Sequence, residues 1–65
     1  MYNKIKKIRE DKFMTQKELA EKSGISRTTI SDLEKQKVMN ITTATMRKIA
    51  VDGLDSSIPE VFFNK

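Results

Sequence analysis

Thr15-Gln16-Lys17-Glu18-Leu19-Ala20-Glu21-Lys22-Ser23-Gly24-Ile25-Ser26-Arg27-Thr28-Thr29-Ile30-Ser31-Asp32-Leu33-Glu34-Lys35 is the stretch that decides the fold. Thr15 and Glu18 stand at capping-box spacing, so the hydroxyl closes a helix start while the carboxylate reaches back to it. Met14, just before the cap, and Leu19, at the fourth helical position, have hydrophobic-staple spacing. A helix over about 16–23 follows, and Gly24 supplies the left-handed residue that stops it. Two residues later Ser26 caps a second helix, again with a staple pair, Ile25 and Ile30. Ile30 and Leu33 point to one side of this helix, and Arg27, Thr28, Ser31, Asp32 and Lys35 to the other. Two short helices joined by a tight turn containing glycine make a helix-turn-helix pattern over about 15–35. Ala20 is small where the two helices must cross closely. The polar face that remains has the size of an element that enters a DNA major groove.

The same punctuation continues outward in both directions. Ile5 and Ile8 form the apolar stripe of a first helix over about 3–12. Downstream, Lys35 to Asn40 reads as a loop, and Thr42 caps a fourth helix with Ile41 and Met46 as staple. Ile49 and Ala50 continue its stripe, and Asp52-Gly53 ends it. Ser57-Ile58-Pro59-Glu60 is a second capping box, opening a last short helix with Val61 and Phe62 inward. No strand pattern, internal repeat, low-complexity stretch or interdomain linker interrupts this series. The expectation is an all-α chain of five short helices, one domain over 1–65.

Composition narrows the function. A 65-residue chain has a small core, which disulfides, a metal, oligomerisation or very regular packing must support. With no cysteine and no histidine, disulfides and the ordinary zinc, haem and iron-sulfur sites are not expected, and no metal or cofactor is assigned. The commonest general base and the commonest thiol nucleophile are missing as well, so catalysis is not expected. No run of eighteen apolar residues spans a membrane, and the lysine-rich start lacks the apolar core of a signal peptide, which points to the cytoplasm. The net charge of +4 is unevenly placed: residues 1–37 hold ten Lys/Arg against six Asp/Glu, and residues 38–65 three of each. A basic excess confined to one part of a small domain suits a polyanionic partner.

The run Met14 to Glu34 closely resembles the helix-turn-helix of Cro/CI-type (XRE, lambda-repressor-like) regulators. The likeness extends to Ile5, Ile8 and Arg9 upstream and to Thr45-Met46-Arg47-Lys48-Ile49-Ala50 and Glu60-Val61-Phe62 downstream, nearly the whole chain. It implies a compact five-helix lambda-repressor-like fold and a transcriptional regulator, a repressor, bound as a homodimer to a partly palindromic double-stranded DNA operator through the helix 26–35. By the same resemblance Arg27, Thr28, Ser31 and Asp32 face the bases. Gln16 meets a backbone phosphate at the start of helix 2, and Lys17, Lys35 and Lys37 add phosphate charge. Arg9 and Glu34 are implied to form a structural ion pair. Phe63 has no inward place beside Val61 and Phe62, which makes it the candidate for a dimer interface.

Two positions depart from the family pattern: Phe13 and Gln36 stand where Gly or Asn is common, at sites suited to a left-handed backbone. The loop after helix 3 and the connection Val51 to Ser57 are each one residue longer than usual. A protein-interaction module such as the antitoxin of a toxin-antitoxin pair is the competing reading, and the DNA-binding fragment of a longer regulator is a third. The sequence names neither an effector nor an anti-repressor protein.

Overall fold

A computed structural model describes residues 3–36 and 41–63, with the side chain of Phe63 outside the described set. Helix α1 spans Ile5–Asp11, α2 Gln16–Ser23, α3 Arg27–Glu34 and α4 Thr43–Arg47. Beyond Arg47 the chain keeps coiling with a wider, π-type turn over Lys48–Gly53, and α5, also wide-turned, covers Pro59–Phe63. No strand occurs among the described residues.

The caps form as their spacing predicts. The Thr15 hydroxyl accepts from the Glu18 amide at 3.0 Å, and the Glu18 carboxylate accepts from the Thr15 amide at 2.8 Å. Ser57 and Glu60 make the same reciprocal pair at 3.3 and 3.1 Å. Ser26 and Thr42 each accept from the amide three residues on. Gly24 closes α2 with φ of 74°.

Leu19, Ile30, Leu33, Ile49 and Ala50 are fully buried together with Ile5, Leu54 and Val61, and Phe62 completes the cluster. The staple residues Met14, Ile25, Ile41 and Met46 pack against its edge. Leu54 and Ile58 also join this core, a role that their isolated places in the sequence do not signal. The π-type turn explains how they arrive there. The Leu54 amide donates to Ile49 at 2.9 Å and the Ser56 amide to Ala50 at 2.8 Å, spacings of five and six residues. A π-type turn widens the coil without breaking it, which carries the chain from Ile49 round to Leu54 and Ser56. Asp55 then turns the chain with φ of 52°.

Gly53 does more than end a helix. It is buried, and a Cβ there would collide with Leu19 Cδ1 and stand 3.2 Å from Ser23 Cβ. The absent side chain is what lets this segment lie against α2.

Helix α1 is shorter than the expected 3–12 because its first residues have other tasks. The buried Asn3 side chain donates to the Leu33 carbonyl at 2.8 Å and accepts from the Ile5 amide at 3.1 Å. The Gln36 side-chain amide pairs with the Asn3 backbone in both directions, at 3.0 and 3.1 Å. Lys4 donates from its backbone to Val61 at 2.8 Å. The N-terminal strap is thereby fixed to the ends of α3 and α5. At the other end of α1, Phe13 and Met14 donate to Glu10 and Arg9, a Schellman motif with left-handed Phe13 (φ 55°). Gln36 is left-handed too, with φ of 60°. Both departures from the family's usual residues therefore keep the left-handed backbone, and Gln36 uses its side chain to brace it.

Candidate nucleic-acid interface

Helix α3 is anchored by Ile30 and Leu33, both fully buried, which fixes the orientation of its opposite face. Arg27, Thr28 and Lys35 on that face are exposed, while Ser31 and Asp32 are half-buried. These five side chains and Gln16 line one shallow groove. All four expected base-facing residues thus share a surface with Gln16 and Lys35. Ser26 holds the start of this face in place: its hydroxyl accepts from the Thr29 amide and donates to the Thr29 hydroxyl at 2.8 Å. Lys17 is exposed on α2 and is not part of this groove lining. Lys37 lies outside the described residues.

Behind the groove sits the Arg9–Glu34 pair. Arg9 Nε donates to Glu34 Oε2 at 2.7 Å and Nη2 to Oε1 at 3.1 Å, a two-pronged arrangement. Arg9 Nη1 also donates to the Met14 carbonyl at 2.7 Å. The two side chains are only 12% and 5% exposed, so the pair is a buried joint between α1, the turn before α2 and the end of α3. Its hydrogen bond to Glu34 pushes the Arg9 pKa up from its ordinary value, against the opposing effect of burial. The expected pairing is therefore present, with the Met14 carbonyl as an added partner.

The structure adds one contact to the expected role of Gln16. Its Nε2 donates to Glu34 Oε1 at 3.0 Å, so the amide of the first α2 residue is tied to the last residue of α3. No sequence signal reports this, because the pair is separated by 18 positions and neither residue type demands the other. Asp32 also has an interaction partner and is not a free carboxylate in this groove. Among the described residues no group of histidine, cysteine or carboxylates could hold a metal ion, and no helix is long and apolar enough to cross a membrane.

Neither a curated protein nor a solved structure matches the chain. A family model described as helix-turn-helix does match, over residues 5–51, well over half of the chain. That span holds α1 to α4 and most of the wide turn, including both capped helices, the Gly24 turn and the groove face of α3. On that match and this architecture, the chain belongs to the helix-turn-helix family of the Cro/CI (XRE) type, with a five-helix lambda-repressor-like fold.

Proposed function

We propose that the protein is a sequence-specific transcriptional regulator, a repressor that occupies a partly palindromic double-stranded DNA operator as a homodimer. The family is one of DNA-binding domains, which supports the general reading. One observation carries the specific one: buried Ile30 and Leu33 fix α3 so that Arg27, Thr28, Ser31 and Asp32 share an outward groove with Gln16 and Lys35. A helix of this kind fits the major groove, where arginine pairs with guanine through two hydrogen bonds. Arg27, in the first turn of α3, is the principal base reader, and Thr28, Ser31 and Asp32 supply further contacts to base edges. Gln16, Lys17, Lys35 and Lys37 hold the backbone, which sets register and affinity but carries no sequence information.

Repression follows from occupancy, since a protein seated over a promoter excludes polymerase. Two-fold symmetry of the dimer places half-site centres about 34 Å apart, one helical turn. The dimer is assigned to the C-terminal third around Phe63, away from the basic excess.

Titration of Arg27→Ala on operator and scrambled duplexes tests the base-reading role. The expected loss is about 1–3 kcal/mol on the operator, with relaxed preference at one base position. Equal weakening on both duplexes would make Arg27 a phosphate ligand instead. Sedimentation of wild type and Phe63→Ala, alongside a footprint, tests the dimer. A monomer on a single asymmetric half-site would refute it.

A further inference from the structure

The groove of α3 does not end at Lys35. Gln16, Ser31 and Lys35 also line a second concave surface, whose other walls are Lys6, Arg9 and Glu34. Lys6 and Glu34 in turn border a third, which continues along α1 past Lys4 and Lys7. One track therefore runs from the exposed face of α3 across to the first helix.

Over the three surfaces Lys4, Lys6, Lys7, Arg9, Arg27 and Lys35 outnumber the carboxylates Glu10, Asp32 and Glu34, so charge along this track favours an anion. Glu34 is the carboxylate of the middle section, and Arg9 covers it with two hydrogen bonds. With that pair neutral, Lys6 and Lys35 leave a surplus of two positive charges. Both are exposed, and neither enters the Arg9–Glu34 or Lys7–Asp11 ion pair. The floor offers a further donor. An amide nitrogen carries two hydrogens, and Gln16 Nε2 spends one on Glu34. That bond anchors the amide at the junction of the two surfaces, both of which Gln16 lines.

We propose that this track holds the sugar-phosphate backbone of one strand, with Lys6 of α1 as a phosphate ligand beyond the reach of the helix-turn-helix itself. The inference rests on the DNA-binding reading given above and extends it to α1, a helix to which that reading assigns no DNA contact. Glu34 acts here as a positioning residue: held by Arg9, it turns the Gln16 amide toward the strand entering the track.

The test is duplex binding by wild type, Lys6→Ala and Lys48→Ala over a salt series, on operator and scrambled DNA, with a thermal melt of each variant. Lys48 is exposed, lies on the wide turn after α4 and lines none of the three surfaces, so it controls for bulk charge. Loss of one phosphate contact lowers the slope of log affinity against log salt by about 0.9. The wild-type advantage over Lys6→Ala then shrinks roughly 3.5-fold between 50 and 200 mM salt, equally on both duplexes. Lys48→Ala keeps the wild-type slope. An unchanged slope for Lys6→Ala, with Arg27→Ala still impaired on the operator, overturns the track and leaves the DNA reading intact. Equal slope losses for Lys6→Ala and Lys48→Ala reduce the effect to net charge and also overturn it. Failure of the wild type to bind any duplex removes both readings together.

Discussion

Removing Glu34 is the perturbation that asks most of this fold. Its carboxylate, 5% exposed, accepts from Arg9 Nε, Arg9 Nη2 and Gln16 Nε2 at 2.7, 3.1 and 3.0 Å. In Glu34→Ala the guanidinium keeps only the Met14 carbonyl and remains buried without a counter-charge. Breaking a buried pair from one side costs about 3–5 kcal/mol. A domain of this size has a total stability of roughly 3–10 kcal/mol, taking about 0.05–0.15 kcal/mol per residue. The single variant should therefore lose a third or more of its stability and melt on the order of 15 °C lower or worse. Arg9→Ala should do comparable damage. It strands the same carboxylate with Gln16 alone and also frees the Met14 carbonyl. The double variant should be less damaged than the sum of the singles, because neither charge is then left unpaired. A coupling of about 1.5 kcal/mol or more, read from urea denaturation of all four proteins, is the expected result. Coupling near zero would mean that solvent already screens the pair, and the joint between α1 and α3 would have to be apolar.

Three further outcomes follow from the backbone and the caps. Phe13 is 95% exposed with φ of 55°, so Phe13→Gly relieves left-handed strain without uncovering the core and should raise the melting temperature by a few degrees, net of the glycine entropy cost. Two glycine-to-alanine variants should both be destabilised, as measured by urea denaturation, but for different reasons. Gly53→Ala forces a methyl group into Leu19 and should cost about 1–3 kcal/mol by overpacking, whereas Gly24→Ala meets nothing within 4 Å and should cost about 1 kcal/mol through its φ of 74° alone. Glu18 and Glu60 have their pKa values lowered, chiefly because each accepts the backbone N–H of its cap residue, Thr15 or Ser57. The unfolded chain takes up those protons first, so the stabilisation is present above the unfolded carboxylate pKa and is lost as pH falls through the folded values. Glu18→Gln should accordingly flatten the acid limb of a stability-pH profile measured by urea denaturation, and an unchanged limb would show that this cap contributes nothing.

How much of this molecule could be read in advance depends on how local each device is. The cap at Thr15 is one hydroxyl and one carboxylate three residues apart, so its entire geometry is written within four positions. The staples and Gly24 are local in the same sense. The left-handed sites at Phe13 and Gln36 were legible by a different route. Neither residue type favours that conformation, and only the family's habitual Gly or Asn at those places pointed to it. Leu54 shows the opposite case. Its burial depends on a helix that widens after Arg47, and a hydrophobic stripe read at 3.6 residues per turn cannot show where the period changes. Asp52-Gly53 marked an ending, correctly, while the close approach of Gly53 to Leu19 was invisible without the partner helix.

For the interface the same distinction decides what sequence can reveal. The outward face of α3 follows from periodicity, because burying Ile30 and Leu33 forces Arg27, Thr28, Ser31 and Asp32 to the other side. What periodicity cannot give is the neighbour across a groove. The bond between Gln16 and Glu34 joins residues 18 apart, and the strap from Asn3 to Gln36 joins residues 33 apart. Both converge on the C-terminal end of α3, where Lys35 and Lys6 line one concave surface. The side chains that hold α3 in place are therefore distributed over α1, α2 and the N-terminal strap. A helix-turn-helix motif cut out at residues 15–35 would keep every α3 residue proposed to face the bases. It would lose Arg9 and Asn3, and with them hydrogen bonds that hold the C-terminal end of α3 to the rest of the fold.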